Sequence, residues 1–350
     1  MRILYGIQGT GNGHLTRAEE IVPVLQKFAE VEVLVSGNQS QIDSSFPINY
    51  KKNGLTFLSS KKGKVDLFKT VVKSKPRDLI REIKNFNTKK YDLVVTDFEP
   101  VSAWSALING VPCIELSHQA AVLNKNAPKP EKKDRISSYI LNHYCPTKLK
   151  YGFHFKKYDE NIFTPIIKNE IRNLVPIKKG YYTVYLPAFH DDYLWMILNQ
   201  FDVEWQVFSK YTKQKYRINN IWFNPIEKES FKDSIEKCEG VMCGAGFELP
   251  SEALFLGKKV MVIPMVGQYE QECNAESLRQ LGVSVLPNLS LIHHRTIANW
   301  LTSKETIEVN FSDCKEEVIS RVLSDFESKK IPNESFNKIA FNSKFYKYFL

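Results

Sequence analysis

Apolar and polar positions along the first half of the chain alternate between two rhythms. Residues 2–7 form a short β-rich run. Residues 15–28 follow with helical apolar spacing at Ile21, Val24, Leu25 and Phe28. Residues 31–35, 91–96 and 111–116 read as further strands, the last two flanking a helix over 101–109. Strand-then-helix repetition predicts a parallel sheet covered by helices. The pattern breaks over 151–180, where aromatics, lysines and two prolines mix without sustained alternation, and this stretch reads as connecting structure.

A second series begins at 181–186. Its next strands are expected at 205–208, 218–223, 240–243, 259–263 and 283–286, with helices near 190–200, 229–238, 249–256 and 271–281. The expectation is α/β: two Rossmann-like domains, at 1–165 and 180–332. The last stretch, 333–350, carries Phe336, Phe341, Phe345, Tyr346, Tyr348 and Phe349. So many aromatics in a tail predict docking, as a helix returning to the first domain.

Length agrees with two units, since 350 residues exceed what one ordinary core holds. The chain is 43% hydrophobic and 25% charged, which excludes wholesale disorder. Its longest apolar run, near Val260 to Val266, is strand length, well short of the roughly 18–20 residues of a membrane span. Met1 to Ile7 runs straight into a glycine loop, so no secretory signal is expected and the cytoplasm is the expected compartment. The six cysteines form no C-x-x-C pair and no zinc spacing; they are expected to be core thiols, with no metal and no cofactor.

The net charge of +9 is unevenly placed. Lys51 to Lys90 holds 13 Lys/Arg against Asp66, Asp78 and Glu82, a local excess of +10. Within it Leu79, Ile80, Ile83 and Phe86 form a helical apolar stripe beside Arg77, Arg81 and Lys84. A basic amphipathic helix of that kind predicts peripheral contact with an anionic membrane; the alternative is a core helix with a solvated face. The run lacks the regular aromatic interleaving of a base-stacking platform, so nucleic acid is not expected as a partner.

Two loops carry chemistry. Gly9-Thr10-Gly11-Asn12-Gly13-His14 joins the first strand to the first helix, where glycines let backbone amides approach a ligand. A dinucleotide site would want glycine at 14 and an acid ending the second strand, which instead ends Val35-Ser36-Gly37. That favours a loop presenting His14 into a cleft as a proton acceptor. The second loop is Cys243-Gly244-Ala245-Gly246-Phe247, ahead of a helix with Glu252 about two turns along; amides at such a helix start suit a diphosphate, and the carboxylate suits ribose hydroxyls. The next strand ends before Gln268, Glu270 and Gln271, whose amide and carboxylate groups suit sugar hydroxyls. This loop and the 243–247 loop follow successive strands of one sheet, which puts both at its carboxyl edge.

GTGNGH at 9–14, CGAGFELPSEAL at 243–254 and GQYEQECNA at 267–275 together resemble the nucleotide-sugar-dependent GT-B glycosyltransferases. The resemblance is to the branch that includes the peptidoglycan enzyme glycosylating lipid I, and to the glucuronosyltransferase-like enzymes. It implies a GT-B architecture with a central cleft, the donor on the carboxyl domain and the acceptor on the amino domain. Gly244, Ala245, Gly246 and Phe247 would approach the diphosphate, Glu252 the ribose, and Gln268, Glu270 and Gln271 the sugar. Phe208 would meet the base. Where extended-signature relatives carry His-Cys-Gly or His-Gly-Gly, this chain has Cys243-Gly244-Ala245, so backbone contact to phosphate is what the resemblance implies. UDP is the implied nucleotide and a glycan or glycolipid the acceptor.

On that reading His14 removes a proton from the acceptor hydroxyl, configuration inverts, and no metal is needed. Asp97-Phe98-Glu99 is the closest approach to the D-x-D metal motif of the other glycosyltransferase fold. Gly11, Asn12, Gly13, Asp97, Glu99 and His118 are expected at the acceptor side. Asp97 and Glu99 have helix capping as the competing role, and His118 a place in the core. His190, opening the first helix of the second domain, is a further donor contact. The competing functions are a nucleotide-sugar epimerase and a non-catalytic nucleotide-sugar or polyanion-binding protein.

Overall fold

Strands buried on both faces require helices above and below, and β4 (Leu93–Asp97) and β5 (Cys113–Ser117) are buried at every position. The computed structural model describes residues 1–9, 12–37, 44–54, 76–131 and 134–328. The first sheet runs in the order β3-β2-β1-β4-β5-β6-β7, with β1 Arg2–Gln8, β2 Glu30–Ser36, β3 Tyr50–Lys52, β6 Leu149–Phe153 and β7 Ile162–Phe163, all parallel. Its helices are α1 (Asn12–Leu25), α2 (Pro76–Asn85), α3 (Pro100–Asn109), α4 (His118–Leu123) and α5 (Arg135–Tyr144). A short helix, α6 (Asn169–Arg172), lies between the sheets.

The second sheet has the order β10-β11-β9-β8-β12-β13-β14. Its strands are β8 Tyr181–Tyr185, β9 Glu204–Phe208, β10 Tyr216–Ile218, β11 Ile221–Asn224, β12 Gly240–Gly244, β13 Lys259–Ile263 and β14 Ser284–Val285; only β10 runs antiparallel to its neighbour. Its helices are α7 (Asp191–Leu198), α8 (Lys228–Lys237), α9 (Glu248–Phe255), α10 (Tyr269–Gln280), α11 (His294–Thr302) and α12 (Lys315–Glu327).

Three expectations change. Residues 149–153 and 162–163, taken as connecting structure or its margin, form β6 and β7, because Tyr151, Phe153 and Phe163 are all needed in the core of the first sheet. The run 218–223 is not one strand. Asn219, with φ at 53°, turns the chain between β10 and β11, and asparagine tolerates that left-handed region better than most residues. The apolar stripe Leu79, Ile80 and Ile83 on α2, with Phe86 just past its end, is buried in one cluster with Leu4, Leu34 and Val101, while Arg77, Arg81 and Lys84 face solvent. The helix is a core helix with a charged outer face, and that stripe is not available to a bilayer. No helix among the described residues is long and apolar enough to cross a membrane.

The chain does return to the first domain, but earlier than expected. Val318, Ile319, Val322 and Leu323 of α12 join the cluster that holds Ile21 and Leu25 of α1. Lys315 Nζ lies 2.7 Å from Glu20 Oε2 at the same joint. The aromatic tail at 333–350 lies outside the described residues. All six cysteines are free and buried. The cluster under α1 also contains Val241, Ala253 and Val262 of the second domain, so apolar packing is continuous across the joint.

Gly152 on β6 marks a close approach: a Cβ there would stand 2.5 Å from the Ala121 amide nitrogen and 2.7 Å from its Cβ on α4. Backbone cannot yield that space without moving α4. Gly152→Ala is expected to lose about 1–3 kcal/mol in urea unfolding; an unchanged midpoint would mean that α4 is free to shift.

Candidate functional site

Helix α1 begins at Asn12, two residues ahead of His14, so the histidine sits in the first helical turn and not in the loop. Arg17 follows three residues later, on the same face. Asp97 ends β4, which pairs directly with β1, and its carboxylate reaches both side chains. His14 Nδ1 lies 2.9 Å from Asp97 Oδ1, and the Arg17 guanidinium places Nη2 2.8 Å from Oδ1 and Nε 3.1 Å from Oδ2. Arg17 is 3% exposed and Asp97 fully buried.

The next residue, Phe98, has φ at 56°, a genuine outlier for a bulky side chain. Its ring stacks on Tyr144 at 4.7 Å. The sharp turn separates Asp97 from Glu99. Glu99 turns inward and caps α3, accepting from Val101 N at 2.7 Å and Ser102 N at 2.6 Å. Its expected place on the acceptor side is therefore corrected: it is the buried helix cap.

The same guanidinium crosses to the second domain. Arg17 Nη1 donates to Glu248 Oε1 at 2.7 Å, at the first position of α9. Gly13 makes that approach possible, since a Cβ there would meet Glu248 Cγ at 3.1 Å. Gly11 lies outside the described residues. One cation thus faces two carboxylates, and Asp97 has the larger share of contacts. Burial alone would raise the Asp97 carboxyl, but Arg17 and then His14 hold it below the usual range. Burial pushes Glu248 up to about 7 despite Arg17, with negative Glu252 and Asp97 adding to the push.

Beside α9 lies a cavity of about 330 Å³ at the carboxyl edge of the second sheet. Tyr185 to Phe189, Gly244, Gly246, Leu249, Pro250, Ile263 to Val266 and Gln271 form much of its wall. Gly246 meets no atom within 4 Å of a built Cβ and has no positive φ. Neither packing nor backbone strain requires glycine there; its absent side chain leaves the backbone face open. Gln271 Oε1 accepts from Met265 N at 2.9 Å and shapes the adjoining loop.

The other expected donor residues are distributed differently. Ala245 is buried, its carbonyl accepting from Asn274 Nδ2 at 3.1 Å. Phe247 stacks on His118 with ring centroids 3.9 Å apart. Glu252 is not in the cavity wall: it is buried against Lys168, with Nζ–Oε1 at 3.1 Å, because the Glu248–Glu252 face of α9 points to the first domain while Leu249 and Pro250 point to the cavity. Phe208 is a core residue, edge-on to Phe231 at 4.9 Å, so its expected base contact is corrected. His190 is exposed and stacks on Tyr211 at 3.9 Å, away from the cavity wall. Gln268 stands at the N-cap of α10 with its side-chain oxygen buried and unpartnered.

His118 lies where the domains meet: Nδ1 is 2.8 Å from the Phe153 carbonyl, and Nε2 is 2.8 Å from Asn274 Oδ1 and 4.0 Å from Glu270 Oε1. Burial pulls its pKa below the ordinary value. Glu270 also accepts from Gln119 Nε2 at 2.9 Å. Arg17, Gln119 and Glu248 escaped the sequence reading. The helical spacing from His14 to Arg17 was the available signal; nothing local marks Glu248 or Gln119. Among the described residues, no group of three or more His, Cys, Asp or Glu is disposed to hold a metal ion.

Residues 1–304 match the family described as glycosyl transferase family 1. The chain belongs to that family. Among solved structures it resembles MurG of Acinetobacter baumannii, at 12% identity and TM-score 0.55 over 93% of this chain and 99% of that one. It also resembles the spinosyn rhamnosyltransferase SpnG complexed with thymidine diphosphate, at 12% identity and TM-score 0.54 over 96% and 98%. A third is Phytolacca americana UGT2 complexed with UDP-2fluoro-glucose and pterostilbene, at 13% identity and TM-score 0.51 over 99% of both chains. None of the curated proteins matches the chain by sequence. Family and fold agree: this is a glycosyltransferase of GT-B architecture with two Rossmann-like domains.

A raised carboxyl has a stability signature. Between the unfolded value near 4.5 and the folded value of about 7, the native glycosyltransferase holds a proton on Glu248 that the unfolded chain releases. Stability from this group is therefore greatest below the window and falls as pH rises through it, by at most about 3 kcal/mol. Glu248→Gln is expected to flatten that fall in melting curves taken across the window; parallel curves for both proteins would refute it.

Proposed function

We propose that this glycosyltransferase moves a sugar from a nucleoside-diphosphate donor, a UDP-sugar by resemblance, to a hydroxyl of a glycan or glycolipid, with inversion and without a metal. The observation that carries the reading is the His14–Asp97 pair, 2.9 Å apart, joined through Arg17 to the start of α9. A carboxylate at Nδ1 fixes the tautomer: Nδ1–H donates to Asp97, and Nε2 keeps its lone pair. With Nδ1 as a donor, the nearby Arg17 Nη2 does not donate to it and instead serves Asp97.

In the proposed reaction, Nε2 takes the proton of the acceptor hydroxyl as its oxygen attacks the anomeric carbon. The bond from that carbon to the diphosphate oxygen breaks on the opposite face, and its electron pair leaves with the diphosphate. Negative charge then grows on the diphosphate. The amides at Gly246 to Glu248, opening α9, would stabilise it through hydrogen bonds and the helix dipole. The cavity lined by Leu249, Pro250, Tyr185 and Phe189 suits the nucleoside, being mostly apolar with a few polar groups. A thymidine diphosphate donor is the second reading for the nucleotide, supported by the likeness to the SpnG complex. An epimerase would need several carboxylates for elimination chemistry; Glu99 and Glu252 are committed to a helix cap and to Lys168, which disfavours it.

The test is a thermal-shift panel of UDP, dTDP and their sugars, followed by turnover with the best donor. A stabilising nucleotide is expected, and none would overturn the reading. His14→Ala is expected to lower kcat by about 10²–10⁴-fold while leaving donor affinity nearly unchanged; full turnover in that variant would remove His14 from the chemistry. A chelator is expected to leave the rate unaltered, and loss of activity restored by a divalent cation would refute metal independence.

A further inference from the structure

The base pair alone poses a problem that its surroundings resolve. Asp97 is fully buried, and a buried carboxylate demands a counter-charge. In a bare His–Asp pair the imidazole is the nearest candidate, and an adjacent carboxylate favours the charged ring. A charged ring has no lone pair and cannot accept the acceptor's proton. Arg17 meets that demand instead: three of its contacts go to Asp97, through Nε and Nη2 at 2.8 to 3.1 Å. Its Nη2 also stands 3.1 Å from His14 Nδ1, so a positive group lies against the ring on the side of the carboxylate.

We propose that Arg17 is a positioning residue that supplies the counter-charge of Asp97, so that His14 stays a neutral imidazole able to act as the base. This rests on the reading of His14 given above and gives Arg17 a role in the protonation state of the ring. Among the described residues, the charged groups facing the ring are Arg17 from its own helix, Asp97 from β4 and Glu248 from α9. Arg17 is the only cation among these three. Without it the ring faces two carboxyl groups, and Asp97 would draw its counter-charge from His14. The bond from Nη1 to Glu248 adds a condition: the guanidinium is clamped from both domains, so its placement against Asp97 depends on their being together.

The experiment is an NMR titration of the His14 ring in the full chain, its signal assigned by loss in His14→Gln, for the wild type, Arg17→Met and Arg17→Lys. Arg17→Met is expected to raise the His14 midpoint by about one pH unit or more. Arg17→Lys, which restores a charge but not the fork, should fall between. An unchanged midpoint in folded Arg17→Met protein overturns the proposal. If Arg17→Met does not fold, Arg17→Lys carries the test: a midpoint above wild type supports the proposal, and a midpoint at or below wild type overturns it. With the donor identified by the nucleotide panel, the acidic limb of kcat/KM should move with the ring, while the affinity for the bare nucleoside diphosphate stays near wild type. The titration needs no donor. A panel in which nothing binds would therefore defeat the proposed function without touching this inference, and a fixed midpoint would do the reverse.

Discussion

One buried guanidinium holds the two halves of this molecule in register. Arg17 has almost no contact with water, and its partners come from β4 of one domain and α9 of the other. Ions removed from water are tolerated only where geometry is good and the remaining hydrogen bonds are met. Here all three guanidinium nitrogens are engaged, Nε and Nη2 donating to Asp97 and Nη1 to Glu248. Removing the cation would leave His14 as the remaining ion-pair partner of Asp97 among the described residues. The surroundings of His14 and one polar link between the domains therefore trace to a single side chain.

Helix α9 does two things with two faces. Glu248 and Glu252, one turn apart, face the first domain and the connecting segment, where Arg17 and Lys168 meet them. Leu249 and Pro250 face the cavity. The open backbone at Gly246 precedes both. A helix so placed cannot shift relative to the first domain without moving the cavity wall, which couples the cavity to His14 through rigid structure and not through a flexible loop. His118 reinforces the joint, stacked on Phe247 and bonded to Asn274.

Much of this was legible in the chain. The strand-then-helix rhythm predicts both sheets, and the glycine runs at 9–13 and 244–246 mark the ends of β1 and β12. His14 and Asp97 each stood out, but nothing in a single sequence pairs residues so far apart. What misled was local ambiguity. A polar residue just past a strand can face a cleft or cap the next helix, and Glu99 caps. An apolar stripe with a basic border can rest on lipid or on a core, and α2 packs on a core. Glu252 and Leu249 are neighbours three residues apart on one helix, yet one meets Lys168 and the other the cavity, which only the docking of the helix decides. Arg17 was overlooked because a lone arginine in a helix usually lies at the surface.

The separations within the site limit where it can exist. His14 and Asp97 are 83 residues apart, and Arg17 and Glu248 231 apart. Loop closure over such distances is entropically costly, and the cost is met by burial of the whole core, since one ion pair contributes far too little. The continuous apolar cluster that includes Leu15, Ala18, Val241 and Ala253 does this work across the joint. A fragment holding either domain alone would keep half of the arrangement: His14 and Asp97 without the helix start, or the helix start with an unanswered Glu248. His14, Asp97 and the start of α9 therefore come together only as a consequence of the complete two-domain fold.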